Sequence, residues 1–493
     1  MPPQPTADRA GTTSILSAAG QACSGLVESA GSSSTIGETA EVVFQIPARR
    51  RWLILSSLCW ASFPLNFVSN PILAAIPEVA ADLDVPATAV TNANSAVLAA
   101  MALSAFIWLP LCGILGRRTA LLSSQLVVVV SLLITSLSPN LACFATFWAL
   151  AGSTTPFFLV AGQTIITDVF EPTIRGTATG YFLGVSVVTN LLAPLSGALI
   201  ATYTTWRVVF GITSGTTLIA FSLCFFLVPS AQQLSGGLDS KNAESRPSLS
   251  GVLRAFDPSA VFRQLKYPRV LFCHITAGLL GFNMYAILSS VRRIINPRFN
   301  LTSPLTSGLF YLAPGIGSIV GSTLGGVISD WVVKRYIVKR KGLRIPQDRL
   351  RACIPAMLLV MPLGTMTYGW SVQKEVGGMV LPAAGAFIHG FGLMVAFSSL
   401  NTYAGEVIPE QKTAVISSKY MFQYGFASAG IGGAIPMIDR IGVGWAVTIT
   451  TGVIIVATIP LVAIIVNPAL DLPSWLRAGV KDSPSGSEGQ AEM

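Results

Sequence analysis

Three ionisable side chains stand inside long apolar runs of this sequence: His274, His389 and Lys419. None of the 22 Asp and Glu residues joins them; every carboxylate lies in a tail, a loop or the end of an apolar run. Such a group is costly to leave unpaired in apolar surroundings, so it marks a binding role, proton handling or a buried contact. The plainer readings are a satisfied histidine between helices, and a lysine whose stem is buried while its ammonium reaches the interface. The amides Asn190, Asn283, Asn401, Gln163 and Gln423 punctuate the same runs. Together these eight side chains are candidates to line a cavity. Neutral and basic groups suit a neutral or anionic small molecule better than a cation, which would benefit from a carboxylate.

Other chemistries find no foothold. The 7 cysteines show no close pair and no CxxC, so neither a disulfide framework nor a zinc site is expected, and no cofactor is implied. His274 and His389 have no Asp or Glu within several residues, which argues against a membrane-embedded enzyme. A sensor would add a long signalling tail, and 467–493 is short. There is no G-x-x-x-x-G-K-[ST] motif to support ATP-driven pumping.

The elements that must position these groups are membrane spans. Hydrophobic residues make up 52% of the 493 and charged residues 11%, against about 25% charged in soluble chains. Apolar runs of about 20 residues, enough to cross roughly 30 Å of hydrocarbon, fall near 52–76, 91–112, 119–138, 142–167, 177–203 and 207–229. Six more fall near 269–290, 306–328, 352–372, 377–401, 413–437 and 442–466. The expected organisation is a polar, disordered tail over 1–51, a six-helix half over 52–229 and a polar linker over 230–268. A second half over 269–466 and a polar tail over 467–493 complete it.

The net charge of +9 is confined to a few loops, with no basic stripe interleaved with aromatics, so nucleic acid is not an expected partner. Basic residues concentrate at Arg49–Arg51, Arg117 and Arg118, Arg175, the linker and KRYIVKRKGLRIPQDRLR; the alternate loops hold Glu78, Asp82 and Asp84. That bias places both termini in the cytoplasm. The acceptor sequon Asn300-Leu301-Thr302 then falls outside, where glycosylation is possible in principle.

Two segments recur. In PLCGILGRRTALL, Gly113 is followed by Arg117 and Arg118; in GGVISDWVVKR, Asp330 is followed by Lys334 and Arg335 at the same offsets. DVFEPTIRGTA, with Asp168 and Arg175, is echoed by EVIPEQKTA, with Glu406 and Lys412. Matching positions in two six-span halves indicate parallel repeats, whose substrate site lies between the halves near the bilayer midplane. The eight charges at these span ends are candidates for a gate whose ion pairs break and re-form. The bland reading is that they anchor topology.

GILGRR and GGVISDWVVKR resemble the major facilitator superfamily motif between spans two and three. Gly184-x8-Ala193-Pro194-x2-Gly197-Ala198 is similar to the antiporter motif of span five. DVFEPTIRGTATGYFLG, TTWRVVF and FNLTSPLTSGLFYLAPG resemble fungal members of the drug:proton antiporter branch. Two positions depart from the pattern: Gly113 replaces an acidic residue, and Trp148 stands where the family has an arginine linked with proton handling.

The resemblance implies an all-α membrane protein of twelve helices in two six-helix halves, and Gly184, Pro194 and Gly197 as a hinge. It implies a monomer in the lipid bilayer, in the plasma membrane, that exports a small organic molecule in exchange for protons. The expected cargo is a neutral or anionic metabolite, an organic acid or a secondary metabolite, and a broad multidrug exporter is the alternative.

Overall fold

The computed structural model describes residues 47–170, 172–229, 259–299, 304–342, 345–408 and 411–466. Most of both expected tails and of the linker, and the sequon at Asn300, lie outside these residues.

The first six long helices are α1 (Ala48–Ser69), α2 (Ala87–Leu115), α3 (Arg117–Ser136), α4, α5 (Pro172–Tyr203) and α6 (Trp206–Leu227). The fourth comes in two segments, Leu141–Gly152 and Thr155–Val169. The second six are α7 (Pro268–Phe299), α8 (Leu312–Lys339), α9 (Met361–Lys374, prolonged backwards by short turns from Pro346), α10 (Val380–Glu406), α11 (Lys412–Ile441) and α12 (Val443–Val466). Eleven of these spans are long and apolar enough to cross a membrane. The twelfth, α11, is 30 residues long but carries Lys412, Lys419, Gln423, Asp439 and Arg440, and it packs along α2 and α7.

Several helices outrun the apolar stretches that announce them. Arg49–Arg51 lie in the first turn of α1, and Asp330 and Lys334 are on α8 rather than in a loop. The backbone stays hydrogen-bonded past the hydrocarbon edge, and charged side chains cost little once they reach water.

Turn chemistry is local. Gly116 joins α2 to α3 at φ 80°, a conformation that suits a residue without Cβ. Asn140 caps α4, its side chain accepting from Cys143 N at 2.9 Å. Pro71 offers no N–H after α1, and the chain continues as a tight turn over Pro71–Ala74.

Within each half, α1 packs on α5 and α6, and α3 on α6; α7 packs on α11 and α12, and α8 on α10. Two helix pairs dominate the junction between the halves: α2 with α11, and α5 with α8. Exchanging each helix for its counterpart in the other half turns the first pair into the second, as parallel repeats require. One face of the bundle carries the start of α1 and the α2–α3, α4–α5, α8–α9 and α10–α11 connections. The opposite face carries the α1–α2 and α7–α8 connections.

Candidate functional site

The break after α1 gathers polar side chains in an apolar bundle. Asn70 is fully buried, and its Nδ2 donates to Asn190 Oδ1 on α5 at 2.6 Å. Ser69 hydrogen-bonds Tyr285 on α7, across the two halves. The Val68 carbonyl accepts from Trp148 Nε1 at 2.6 Å. Trp148, expected at the place of the family's arginine, is a buried indole packed against Phe144 and Phe210.

Next to this break a small cavity lies between α5 of the first half and α7, α8 and α10 of the second. Asn190, Tyr311, Ser318 and His389 supply its polar side chains, and Leu191, Pro194, Met284, Ile287, Leu288 and Leu393 its apolar walls. Among the described residues, no carboxylate and no lysine lines it. His389 is held by Asn283 on α7, with Nε2 2.7 Å from Asn283 Oδ1. Asn283 Nδ2 donates in turn to the Thr450 carbonyl on α12 at 3.3 Å. A second, apolar groove, between α1 and α5, contains none of the candidate residues.

Three candidates gather at a separate place. Lys419 is buried and donates to Asn401 Oδ1 on α10 while lying over the Tyr420 ring. His274 Nε2 is 2.7 Å from Ser418 Oγ, and its Nδ1 is enclosed without a hydrogen-bond partner among the described residues. Cys273 and His274 are within electrostatic reach of Lys419. This cluster sits among α7, α10 and α11 and does not line the cavity. Lys419 does not snorkel: its residual exposure is 2%. Gln163 lies at the contact between halves, bonded to Tyr420, and Gln423 has an enclosed, unpaired Oε1.

The charges at the span ends are arranged differently from the expected repeat pairs. Arg349, on the turn leading to α9, donates to Asp330 Oδ1 at 2.9 Å and to Glu406 Oε1 at 3.0 Å. Nothing in the basic run RKGLRIPQDRLR distinguishes Arg349 by sequence; its partners come from α8 and α10. Lys334 is exposed and forms no ion pair among the described residues. In the first half Arg118 donates to the Phe225 carbonyl at 2.6 Å and lies over the Phe225 ring, while Arg117 is exposed. The side chains of Asp168, Arg175 and Lys412 lie outside the description.

Of the span-five residues, Gly197 is a close contact: a Cβ there would stand 2.3 Å from the Pro71 carbonyl oxygen. Gly184 faces open space, and Pro194 lines the cavity.

The profile of the family described as Major Facilitator Superfamily matches residues 54–433. Dityrosine transporter 1 of Saccharomyces cerevisiae is 22% identical over 440 residues, covering 81% of this chain and 76% of that protein. Efflux pump radE of Floropilus chiversii is 23% identical, covering 81% and 77%. In fold, the chain is similar to the human organic anion transporter MFSD10, with a TM-score of 0.59, 16% identity and coverage of 85% and 100%. It is also similar to the Escherichia coli xylose transporter XylE in a partially occluded inward-open conformation, with a TM-score of 0.61, 13% identity and coverage of 83% and 96%.

Proposed function

The chain belongs to the Major Facilitator Superfamily and is a multi-pass membrane transporter, not an enzyme; we propose that it exports a small neutral or anionic metabolite by alternating access, in exchange for protons. The observation that carries this reading is the cavity between α5 and the second half, walled by apolar side chains, with Asn190 and His389 among its lining and no carboxylate among the described residues. Such a lining receives a largely apolar molecule with a few polar groups and gives no counter-charge to a cationic drug. Several relatives are named as efflux pumps or transporters of fungi, which favours export.

In this reading the face carrying the start of α1 is cytoplasmic, because the basic loops lie there. The membrane is the plasma membrane, and the chain works as a monomer. Arg349, Asp330 and Glu406 hold the cytoplasmic ends of α8, α9 and α10 together as one rigid unit of the gate. The α2–α11 and α5–α8 contacts are the surfaces that part and re-form.

The test compares metabolites inside and outside three fungal strains: one lacking the chain, one with it restored, and one carrying His389→Ala at equal protein level. Retention of one neutral or acidic metabolite in the first and third strains, with release in the second, supports export through this cavity. Unchanged metabolite profiles combined with altered sensitivity to many cationic toxins would replace it with multidrug efflux.

A further inference from the structure

The hydrogen atoms around the cavity can be assigned from what each partner is able to accept. The Thr450 carbonyl can only accept, so the Asn283 group facing it at 3.3 Å is Nδ2, and Oδ1 is the atom turned to His389. Oδ1 can only accept as well. His389 Nε2, 2.7 Å away, therefore carries the hydrogen, and in the neutral ring Nδ1 is a bare lone pair. Nδ1 has no partner among the described residues, yet it is absent from the fully enclosed unpaired atoms, so it keeps open surface in the cavity that His389 lines. His274 differs here, since its Nδ1 is sealed.

The other polar groups add to the same bias. Ser318 spends its hydroxyl hydrogen on the Pro314 carbonyl at 2.8 Å, and Tyr311 directs its own to the Leu288 carbonyl at 3.2 Å. Asn190 accepts through Oδ1 from Asn70, which leaves its Nδ2 as the donor on this wall. Among the described residues the cavity is thus rich in acceptors and poor in donors, and none of them brings a fixed charge to it.

We propose that this cavity selects uncharged molecules that bring a hydrogen-bond donor, a hydroxyl above all, and that Nδ1 of His389 is the acceptor that reads it. This rests on the reading of the cavity as the cargo site and narrows it. A carboxylate offers only acceptors, and its desolvation would go largely uncompensated here. A hydroxyl satisfies His389 with its hydrogen and can accept from Asn190 with its oxygen. Asn283 acts as a positioning residue, because its link to the α12 backbone fixes the tautomer.

Two measurements test this on the purified full chain in lipid vesicles. The protein has 2 histidines, so the His274→Gln chain with 15N-labelled histidine reports His389 alone, and the intact chain serves as control. The expected spectrum has a protonated Nε2 and an unprotonated Nδ1; a protonated Nδ1, as the other tautomer or the cation, overturns the proposal.

The matched probes are 1-naphthol and 1-methoxynaphthalene, which share a ring system and differ in the donor. Naphthol is expected to shift the Nδ1 resonance and to bind about five- to tenfold tighter than the ether. That preference should fall to about one in His389→Phe and shrink in Asn283→Leu. Equal binding of the two probes by the intact chain, or binding of neither, overturns selection by His389. The export reading would then still stand or fall on the strain comparison.

Discussion

Arg349 and Glu406, 57 residues apart in sequence, are joined by two hydrogen bonds, from Nε at 3.1 Å and from Nη2 at 3.0 Å. Asp330 takes the remaining arm of the guanidinium. A planar fork that serves two carboxylates from two helices is a task for arginine rather than lysine. The two acids differ in setting: the Glu406 side chain is 27% exposed and Asp330 61%.

The first prediction follows from that difference. Arg349→Ala leaves both acids without their shared cation and should cost on the order of 2 kcal/mol, less than a fully buried pair because water reaches this site. Glu406→Gln should cost about 1 kcal/mol and Asp330→Asn less than about 0.5 kcal/mol. Thermal unfolding in detergent should rank the three variants in that order. Asp330→Asn as damaging as Arg349→Ala would contradict the arrangement.

Trp148 supplies a second. Its indole N–H holds the Val68 carbonyl beside the break in α1, and its ring is fully buried. Trp148→Phe should cost about 1 kcal/mol for the lost hydrogen bond, and Trp148→Ala about 3–5 kcal/mol for the lost packing. Trp148→Arg, restoring the family's residue type, should destabilise at least as much as Trp148→Ala, because the cation meets Phe144 and Phe210 instead of an acid. Unfolding midpoints that place Trp148→Arg above the unaltered protein would sink this account.

The glycines of α5 should separate cleanly. Gly197→Ala forces Cβ onto the Pro71 backbone, which cannot move aside as a flexible side chain can, so folded yield should drop. Gly184→Ala meets open space and should fold normally. If Gly184 is also a hinge, Gly184→Ala will slow cargo release without changing the amount of protein.

Lys419 offers a test with an unusual sign. A buried ammonium with one amide partner and an aromatic face is under-compensated, so Lys419→Met should leave stability unchanged or raise it. Asn401→Leu keeps the amine and removes its acceptor, and it should destabilise by about 1–3 kcal/mol. The reverse order of unfolding midpoints would show that the charge itself is stabilising.

Much of the architecture can be read from the sequence, because span length and loop charge follow from bilayer thickness and membrane topology alone. Even polar α11 was legible, since its stretch from 413 to 437 is bounded by clear loops. The site was legible residue by residue but not as a grouping. His389, Asn283 and Asn190 come together while Lys419, His274 and Asn401 collect elsewhere, and helix rotation decides that. Ser318 and Arg349 gave no signal, one a serine in a glycine-rich helix, the other one cation among many. The rotation of a span is set by its neighbours, which a hydrophobic run does not name.

The central claim, that cargo passes because the halves part and close, is tested most directly at Ser95 and Ser428. Their hydroxyl oxygens are 3.1 Å apart, joining α2 to α11 toward the face proposed to be external. With Ser95→Cys and Ser428→Cys together, oxidation should clamp that contact shut. The measurement is release of the metabolite identified by the strain comparison, before and after reduction, with each single variant as control. The account predicts that release stops in the oxidised double variant and returns with a thiol reductant. Release at the unaltered rate from protein shown to be cross-linked would contradict it.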